Sequence, residues 1–257
     1  MPDEVLQRFR LDGKTCVVTG ASRGLGRTMA IALGEAGANV AAIARSEEAL
    51  EETANVIRSL GRRAISVRCN LRDSGSITAM VEQVLAEFGQ IDVLVNNAGG
   101  GEFKPLIEMS DDQWHRIIDL NLSATFRVCR AVGPHMIKRQ RGKVINMSSM
   151  YGLIGEKNVT AYCASKGAVI QLTRALAVEW AEHNIAVNVL APGYIYTERT
   201  SSVFDNPAIG APLIQRIPMG RVGQPNDLGP LIVYLASDAS DFMTGSVIVI
   251  DGGQTAT

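Results

Sequence analysis

Seven short apolar, largely β-branched runs recur along the chain, at Thr15 to Thr19, Val40 to Ala44, Ala64 to Arg68, Val93 to Asn96, Val144 to Met147, Ala186 to Leu190 and Val247 to Ile250. Longer stretches with helical spacing of apolar residues lie between them: Gly24 to Ala36, Glu47 to Leu60, Ser74 to Phe88, Asp111 to Arg139 and Ala161 to Glu182. A strand that is apolar throughout, rather than in alternation, is one covered on both faces, and each intervening stretch is long enough to cross back over a sheet. The pattern therefore predicts an α/β fold, a doubly wound, seven-stranded, mainly parallel sheet with helices on both faces. No Pro/Gly/Ser-rich linker, charge block or internal repeat divides the chain, which predicts one domain over residues 1–257. The rhythm breaks once. From Tyr194 to Asn226 there are four prolines, Pro207, Pro212, Pro218 and Pro225, and no strand pattern, so a substrate-binding lid is expected at about 194–226.

Composition narrows the function classes. The 257 residues carry 25 Lys and Arg against 26 Asp and Glu, a net charge of -1, with 46% hydrophobic residues. A balance so even calls for no polyanionic partner, and nucleic acid is not expected. No apolar run approaches the length of a membrane span, and the amino-terminal MPDEVLQRFR does not read as a secretory signal, so a cytoplasmic protein without membrane attachment is expected. The 4 cysteines, Cys16, Cys69, Cys129 and Cys163, form no C-x-x-C pair, and the 3 histidines, His115, His135 and His183, stand apart from one another, so no metal site is expected.

Candidate chemistry begins after the first run, where Thr19-Gly20-Ala21-Ser22-Arg23-Gly24-Leu25-Gly26 leads into a helical pattern. Such glycines permit a tight turn and let backbone N–H groups approach a pyrophosphate at the positive end of a helix dipole. The spacing G-x-x-x-G-x-G differs from the commoner G-x-G-x-x-G and by itself does not establish dinucleotide binding. At the end of the second run, where an acid would bind the free ribose diol of NAD, stands Ala44 followed by Arg45. Arg45 and Arg23 are either ordinary solvated charges or a pair that holds a 2′-phosphate; the missing acid favours the second, and NADP(H) over NAD(H).

Tyr162 and Lys166 are spaced i, i+4 and so share one helical face. With 5 tyrosines in the chain the pattern arises by chance about 0.12 times, so its chemistry matters more than its rarity. An unperturbed tyrosine titrates at about 10, and a neighbouring ammonium is expected to bring its phenol toward the working range of a general acid/base. Asn146-Met147-Ser148-Ser149 falls at the carboxyl end of the fifth run, the edge where open α/β sheets bind ligands, and a serine there can hydrogen-bond a substrate carbonyl. Neither a G-x-S-x-G elbow nor a suitable histidine makes it a hydrolase nucleophile. Asn96-Asn97-Ala98-Gly99-Gly100-Gly101 ends the fourth run in the same way and can bring backbone close to a flat ligand.

Taken together, TGASRGLG, Asn96-Asn97-Ala98-Gly99, Asn121 in DLNLSA, Ser149, Tyr162 with Lys166, and Pro192-Gly193 with Thr197 resemble the short-chain dehydrogenases/reductases over nearly the whole chain. The resemblance implies a Rossmann-type sheet and hydride transfer at nicotinamide C4, with Tyr162 giving a proton to a ketone or taking one from an alcohol. Lys166 would bind the nicotinamide ribose and lower the Tyr162 pKa, Ser149 would orient the substrate oxygen, and Asn121 would hold a water relaying protons from Lys166. Gly20, Ser22, Arg23, Gly24, Leu25, Gly26, Arg45, Asn70, Leu71, Asn97, Ala98 and Gly99 would bind the cofactor together with Tyr162 and Lys166. Pro192, Gly193, Ile195 and Thr197 would line the carboxamide. Asn70 departs from the family's usual aspartate near the adenine; an amide both donates and accepts there. The resemblance also implies a homotetramer.

For the substrate, Glu102, Phe103, Met150, Tyr151, Glu156, Lys157, Asn158, Tyr194 and Arg199 suit a small hydroxylated or carboxylated molecule, and the chain is similar to sugar-acid and polyol dehydrogenases. It is also similar to 3-oxoacyl-thioester reductases, for which Arg127 and Arg130 are candidate carrier-protein contacts. A third reading, a nucleotide-binding regulator without chemistry, would require loss of Ser149, Tyr162 or Lys166, and all three are present.

Overall fold

The computed structural model describes residues 2–256. Its strands are β1 (Thr15–Thr19), β2 (Asn39–Ala44), β3 (Ala64–Arg68), β4 (Val93–Asn96), β5 (Gly142–Met147), β6 (Ile185–Pro192) and β7 (Val247–Ile250). Its α-helices are α1 (Pro2–Gln7), α2 (Gly24–Glu35), α3 (Glu47–Ser59), α4 (Ser74–Phe88), α5 (Asp111–Ile118), α6 (Ala124–Arg139), α7 (Thr160–Trp180), α8 (Ser201–Phe204), α9 (Pro207–Gln215) and α10 (Gly229–Ala236). One sheet holds the seven strands in the order β3-β2-β1-β4-β5-β6-β7, and every neighbouring pair is parallel. The doubly wound expectation holds.

Alternate residues of each strand feed two separate cores. Cys16, Val18, Val40, Ala42, Val93 and Val95 pack with Met29 and Leu33 of α2, Leu50 and Ile57 of α3, and Ile232 of α10. Val17, Ala41, Ile43, Leu94 and Val144 face the other way, onto Ile77 and Val84 of α4, Val132 and Met136 of α6, and Trp180 of α7. Continuous apolar strands follow from this two-sided burial, because neither face of the pleat meets water. The strand order reverses between β1 and β4, and ligands of such sheets bind in the crevice outside that switch point.

Two sequence expectations change. The stretch Asp111 to Arg139 is not one uninterrupted α-helix: a π-helical turn, Asp119–Ser123, separates α5 from α6. The Thr125 hydroxyl, at the start of α6, donates back to the Asn121 carbonyl of this turn at 2.9 Å. Wider helical turns of this kind insert a residue and rotate the downstream helix, and periodicity counted over a long window does not register the slip. The second concerns residues 194–226, which are not an open loop. Pro207 occupies the first turn of α9, where its missing N–H costs nothing, and the Asn206 side chain accepts from the Ala208 N–H at 3.1 Å. The two ends of the segment are joined by backbone bonds, Gly223 N–H to Tyr194 O at 2.9 Å and Tyr196 N–H to Gly223 O at 2.8 Å.

Candidate active site

The end of β1 is built mostly from backbone. Gly20 and Gly24 have φ of 69° and 55°, a region that favours glycine, and they turn the chain from the strand into α2. A Cβ on Gly26 would stand 2.2 Å from the Gly20 carbonyl oxygen, so helix and strand approach as closely as backbone allows. Asn97, at the end of β4, stitches the turn shut: its Nδ2 donates to the carbonyls of Thr19 at 2.9 Å and Gly20 at 3.3 Å. Thr19 returns the contact, its hydroxyl accepting the N–H groups of Asn97 at 3.0 Å and Ala98 at 3.1 Å. The Asn97 amide thus holds the turn, a task its place in the sequence did not reveal.

Three other helices open with a side-chain cap or an acid: Asp73 caps α4, Ser110 and Gln113 form a capping box on α5, and α3 opens with Glu47 and Glu48. The first turn of α2 has no side-chain cap and no acid, so its N–H groups face outward with the positive end of the helix dipole. Helix α7 likewise opens with neither a side-chain cap nor an acid. Arg23 and Arg45 are both exposed at this edge, and neither makes an ion pair among the described residues, whereas nearby Arg27 pairs with Glu52 at 3.6 Å. Uncapped N–H groups, a glycine cradle and two unpaired guanidinium groups fit a dinucleotide phosphate chain.

Asn70 follows β3 and is exposed; its Oδ1 accepts the Arg72 N–H at 3.2 Å, and Leu71 beside it is half-buried. Ser22 and Leu25 lie half-buried on the turn itself. Across the crevice, Pro192 ends β6, Gly193 donates to Ile250 O at 2.9 Å, and buried Ile195 bridges to Gly223. Thr197 comes back to the glycine turn: a Cβ on Gly24 would lie 3.9 Å from the Thr197 Cβ. The residues that the sequence reading assigns to a cofactor therefore fall at or after the carboxyl ends of β1, β2, β3, β4 and β6, with Tyr162 and Lys166 on α7, at one edge of the parallel sheet.

The ends of β4, β5 and α7 carry the side-chain chemistry. Lys166 is buried and its Nζ donates to the Met147 carbonyl at 2.8 Å, 5.6 Å from the centre of the Tyr162 ring. A Cβ on Gly99 would stand 3.2 Å from that Nζ, and one on Gly101 would stand 2.8 Å from the Tyr162 ring, so the loop after β4 lies directly on both groups. Ser148 and Ser149 separate in role. The Ser148 hydroxyl donates to the Lys166 carbonyl at 2.8 Å, tying β5 to α7, while the Ser149 hydroxyl accepts the Tyr151 N–H at 3.2 Å and lies close enough to the Tyr162 phenol to favour its ionised form.

Asn121 stands on the π-helical turn and is buried. Its Oδ1 accepts the Gly100 N–H at 2.8 Å, and its Nδ2 donates to the Gly100 carbonyl at 2.8 Å and to Ser165 Oγ at 3.0 Å. Both ends of the amide are engaged, so a relay water would have to bind the Asn121 main-chain carbonyl, whose other acceptor position takes the Thr125 hydroxyl.

Electrostatics corrects one expectation. Burial pushes the Tyr162 phenol up from its ordinary value, and what opposes the rise is the Ser149 hydrogen bond and the charge of Arg199; Lys166 is not among the groups that lower it. The reason lies in Lys166 itself: burial, with a smaller contribution from Arg199, depresses its ammonium to about 8, and it is anchored on Met147 O beneath the ring face. Among the described residues no cluster of three His, Cys, Asp or Glu is placed to hold a metal ion, and no helix is long and apolar enough to cross a membrane.

A family model described as enoyl-(acyl carrier protein) reductase matches residues 20–255. A 2-dehydro-3-deoxy-D-gluconate 5-dehydrogenase of Escherichia coli is 42% identical over 98% of this chain and 99% of its own. The chain belongs to the short-chain dehydrogenases/reductases. It is an oxidoreductase. A 3-oxoacyl-[acyl-carrier-protein] reductase of Thermotoga maritima is 39% identical over 95% of this chain and 99% of its own. Among solved structures, a gluconate 5-dehydrogenase from Burkholderia cenocepacia in complex with NADP and tartrate superposes with a TM-score of 0.95 at 38% identity, covering 99% of this chain and all of that one.

Proposed function

We propose that this chain interconverts a secondary alcohol and a ketone on a small polar substrate, a sugar acid or polyol, with NADP(H) as cofactor. The observation that carries the reading is the convergence of Ser149, Tyr162, Lys166 and Asn121 at the carboxyl edge of β4 and β5, across the crevice from the uncapped glycine turn. Bound in that crevice, the nicotinamide supplies or accepts the hydride. The chain's own residues do the rest. Tyr162, a phenol held protonated by burial, gives its proton to the oxygen of a ketone, while the Ser149 hydroxyl orients that oxygen. In the opposite direction Tyr162 takes the proton, and Ser149 and the Arg199 charge favour the phenolate that receives it. Lys166 on Met147 O positions the ribose side of the crevice, and Asn121 holds Gly100 so that the loop after β4 keeps its distance from both groups.

NADP rather than NAD is supported by Arg23 and Arg45 standing without acid partners next to Ala44, and by the NADP carried by the Burkholderia gluconate 5-dehydrogenase. The sugar-acid assignment rests on the two gluconate-type relatives. The thioester alternative has the Thermotoga relative in its favour, but of the two arginines meant for a carrier protein only Arg130 is exposed and without an ion pair among the described residues. Arg127 pairs with Asp119 at 2.6 Å, and Arg130 lies 4.9 Å over the Phe126 ring. Residues 194–226 act as a lid within one catalytic domain, and the assembly is a cytoplasmic homotetramer in this reading. The test is an NADP(H)-linked activity screen across sugar acids, polyols and 3-oxoacyl thioesters. Turnover of a sugar acid or polyol at least ten-fold above any thioester supports the assignment, and the reverse order replaces it with the thioester reading.

A further inference from the structure

Resting on that reading of the site, the geometry points to a substrate class: we propose that Arg199 is the carboxylate anchor of the active site and selects substrates that carry a carboxylate beside the reacting alcohol or ketone. Two residues beyond Thr197, its guanidinium crosses the mouth of the crevice and donates to the carbonyls of Gly99 at 3.3 Å and Gly101 at 2.9 Å. Three consecutive glycines make the approach possible. A Cβ on Gly100 would stand 2.6 Å from Arg199 Nη1, and one on Gly101 would collide with the Tyr162 ring at 2.8 Å, so the guanidinium and the proton donor pack on adjacent residues of one thin wall.

Of the cations around the mouth without an ion pair among the described residues, Lys104, Lys157 and Arg199, the arginine is the one whose charge reaches Tyr162. Glu102 is paired with Arg116 at 3.0 Å and Glu156 with Arg216 at 2.7 Å, while Lys104 donates to Gln113 at 3.1 Å. Glu198 and Lys157 are exposed, and neither ion-pairs among the described residues. Arg199 likewise has no ion pair there, and its charge is felt by both Tyr162 and Lys166. Neutral carbonyls hold a guanidinium in place without cancelling its charge, and two of five donor N–H groups leave a fork able to take a carboxylate in bidentate fashion. An uncharged polyol offers this fork nothing to neutralise.

The test uses the full chain saturated with NADP+, with tartrate, a small hydroxydicarboxylate, as the binding probe and Arg199→Met and Arg199→Lys as variants. Calorimetry should show tartrate binding weakened by about ten-fold or more in the Met variant and partly restored in the Lys variant, because a point charge survives without the fork. In turnover, the ratio of kcat/KM for a keto acid over that for a neutral ketose should fall by the same factor. Tartrate affinity within about three-fold of wild type in the Met variant, or no tartrate binding to the wild type at millimolar concentration, overturns the anchor whatever the activity screen shows. Should no sugar acid turn over while tartrate binding still depends on Arg199, the reaction assignment fails and the anchor stands.

Discussion

The two edges of the crevice solve the problem of holding a ligand by opposite means. At β1 and α2 the surface is made of main chain: glycines at 20, 24 and 26, an uncapped first turn, and Asn97 engaged in bracing carbonyls rather than reaching outward. At β4, β5 and α7 it is made of buried polar side chains, Asn121, Ser149 and Lys166, each with a named partner, beside Tyr162. A main-chain site depends on conformations that only glycine adopts, so it is sensitive to added atoms and tolerant of changed charge. The side-chain site has the reverse sensitivities, since its shape survives an isosteric change that removes its chemistry.

The largest effect tests that contrast directly. Tyr162→Phe keeps the ring against Gly101 and removes the proton donor, so kcat should fall by about 10²–10⁴-fold while NADP(H) affinity, measured by titration, stays within a few-fold. Retention of activity would remove Tyr162 from its role. On the main-chain side, Gly26→Ala introduces a methyl 2.2 Å from Gly20 O and 2.4 Å from Asn97 Nδ2. Stability should drop by about 1–3 kcal/mol or more in denaturant melts, together with cofactor affinity, because the helix must move off the strand. A stable variant that binds NADP(H) normally would show the turn to be roomier than its geometry.

Charge at the same edge should change preference rather than fold. Each arginine is worth on the order of ten-fold toward the 2′-phosphate. Ala44→Asp with Arg45→Ala should therefore reverse the NADP/NAD ratio of kcat/KM while leaving the melting temperature nearly unchanged. Equal use of the two cofactors by the wild type would reduce Arg45 to a solvated charge. The smallest effect concerns Lys166. Its native ammonium titrates at about 8, below the ordinary 10.5, so between these values the unfolded chain binds more protons and this residue's contribution to stability rises with pH. It is complete above 10.5 and lost as the pH falls through 8. Subtracting the pH–stability curve of Lys166→Met from that of the wild type isolates this rise; a flat difference would mean that the lysine is better solvated than its burial implies.

Strand positions were legible because two-sided burial writes an apolar run directly into the chain, and the described strands begin and end within two residues of the runs. The helical nature of α9 was masked by Pro207 and Pro212, which read as breakers until Pro207 is seen in a first turn. Catalytic candidates were legible as types in order along the chain. Their electrostatics was not. Tyr162 and Lys166 at i, i+4 suggested an ammonium acting on a phenol, yet the lysine is anchored on Met147 O and the groups that pull the phenol down come from elsewhere, Ser149 after β5 and Arg199 beyond β6.

The sequence by itself determined the layer architecture, the glycine turn and the absence of an acid at residue 44, since each follows from local residue type: hydrophobic period, freedom of φ, and the sign of a side chain. Only the tertiary structure decided that Asn121 faces Gly100 from a π-helical turn, that the Asn97 side chain braces the glycine turn, and that Arg199 closes on Gly99 and Gly101. Those facts depend on segments 21 to 100 residues apart meeting across one sheet edge, where a polar group takes whichever partner burial leaves within hydrogen-bond reach.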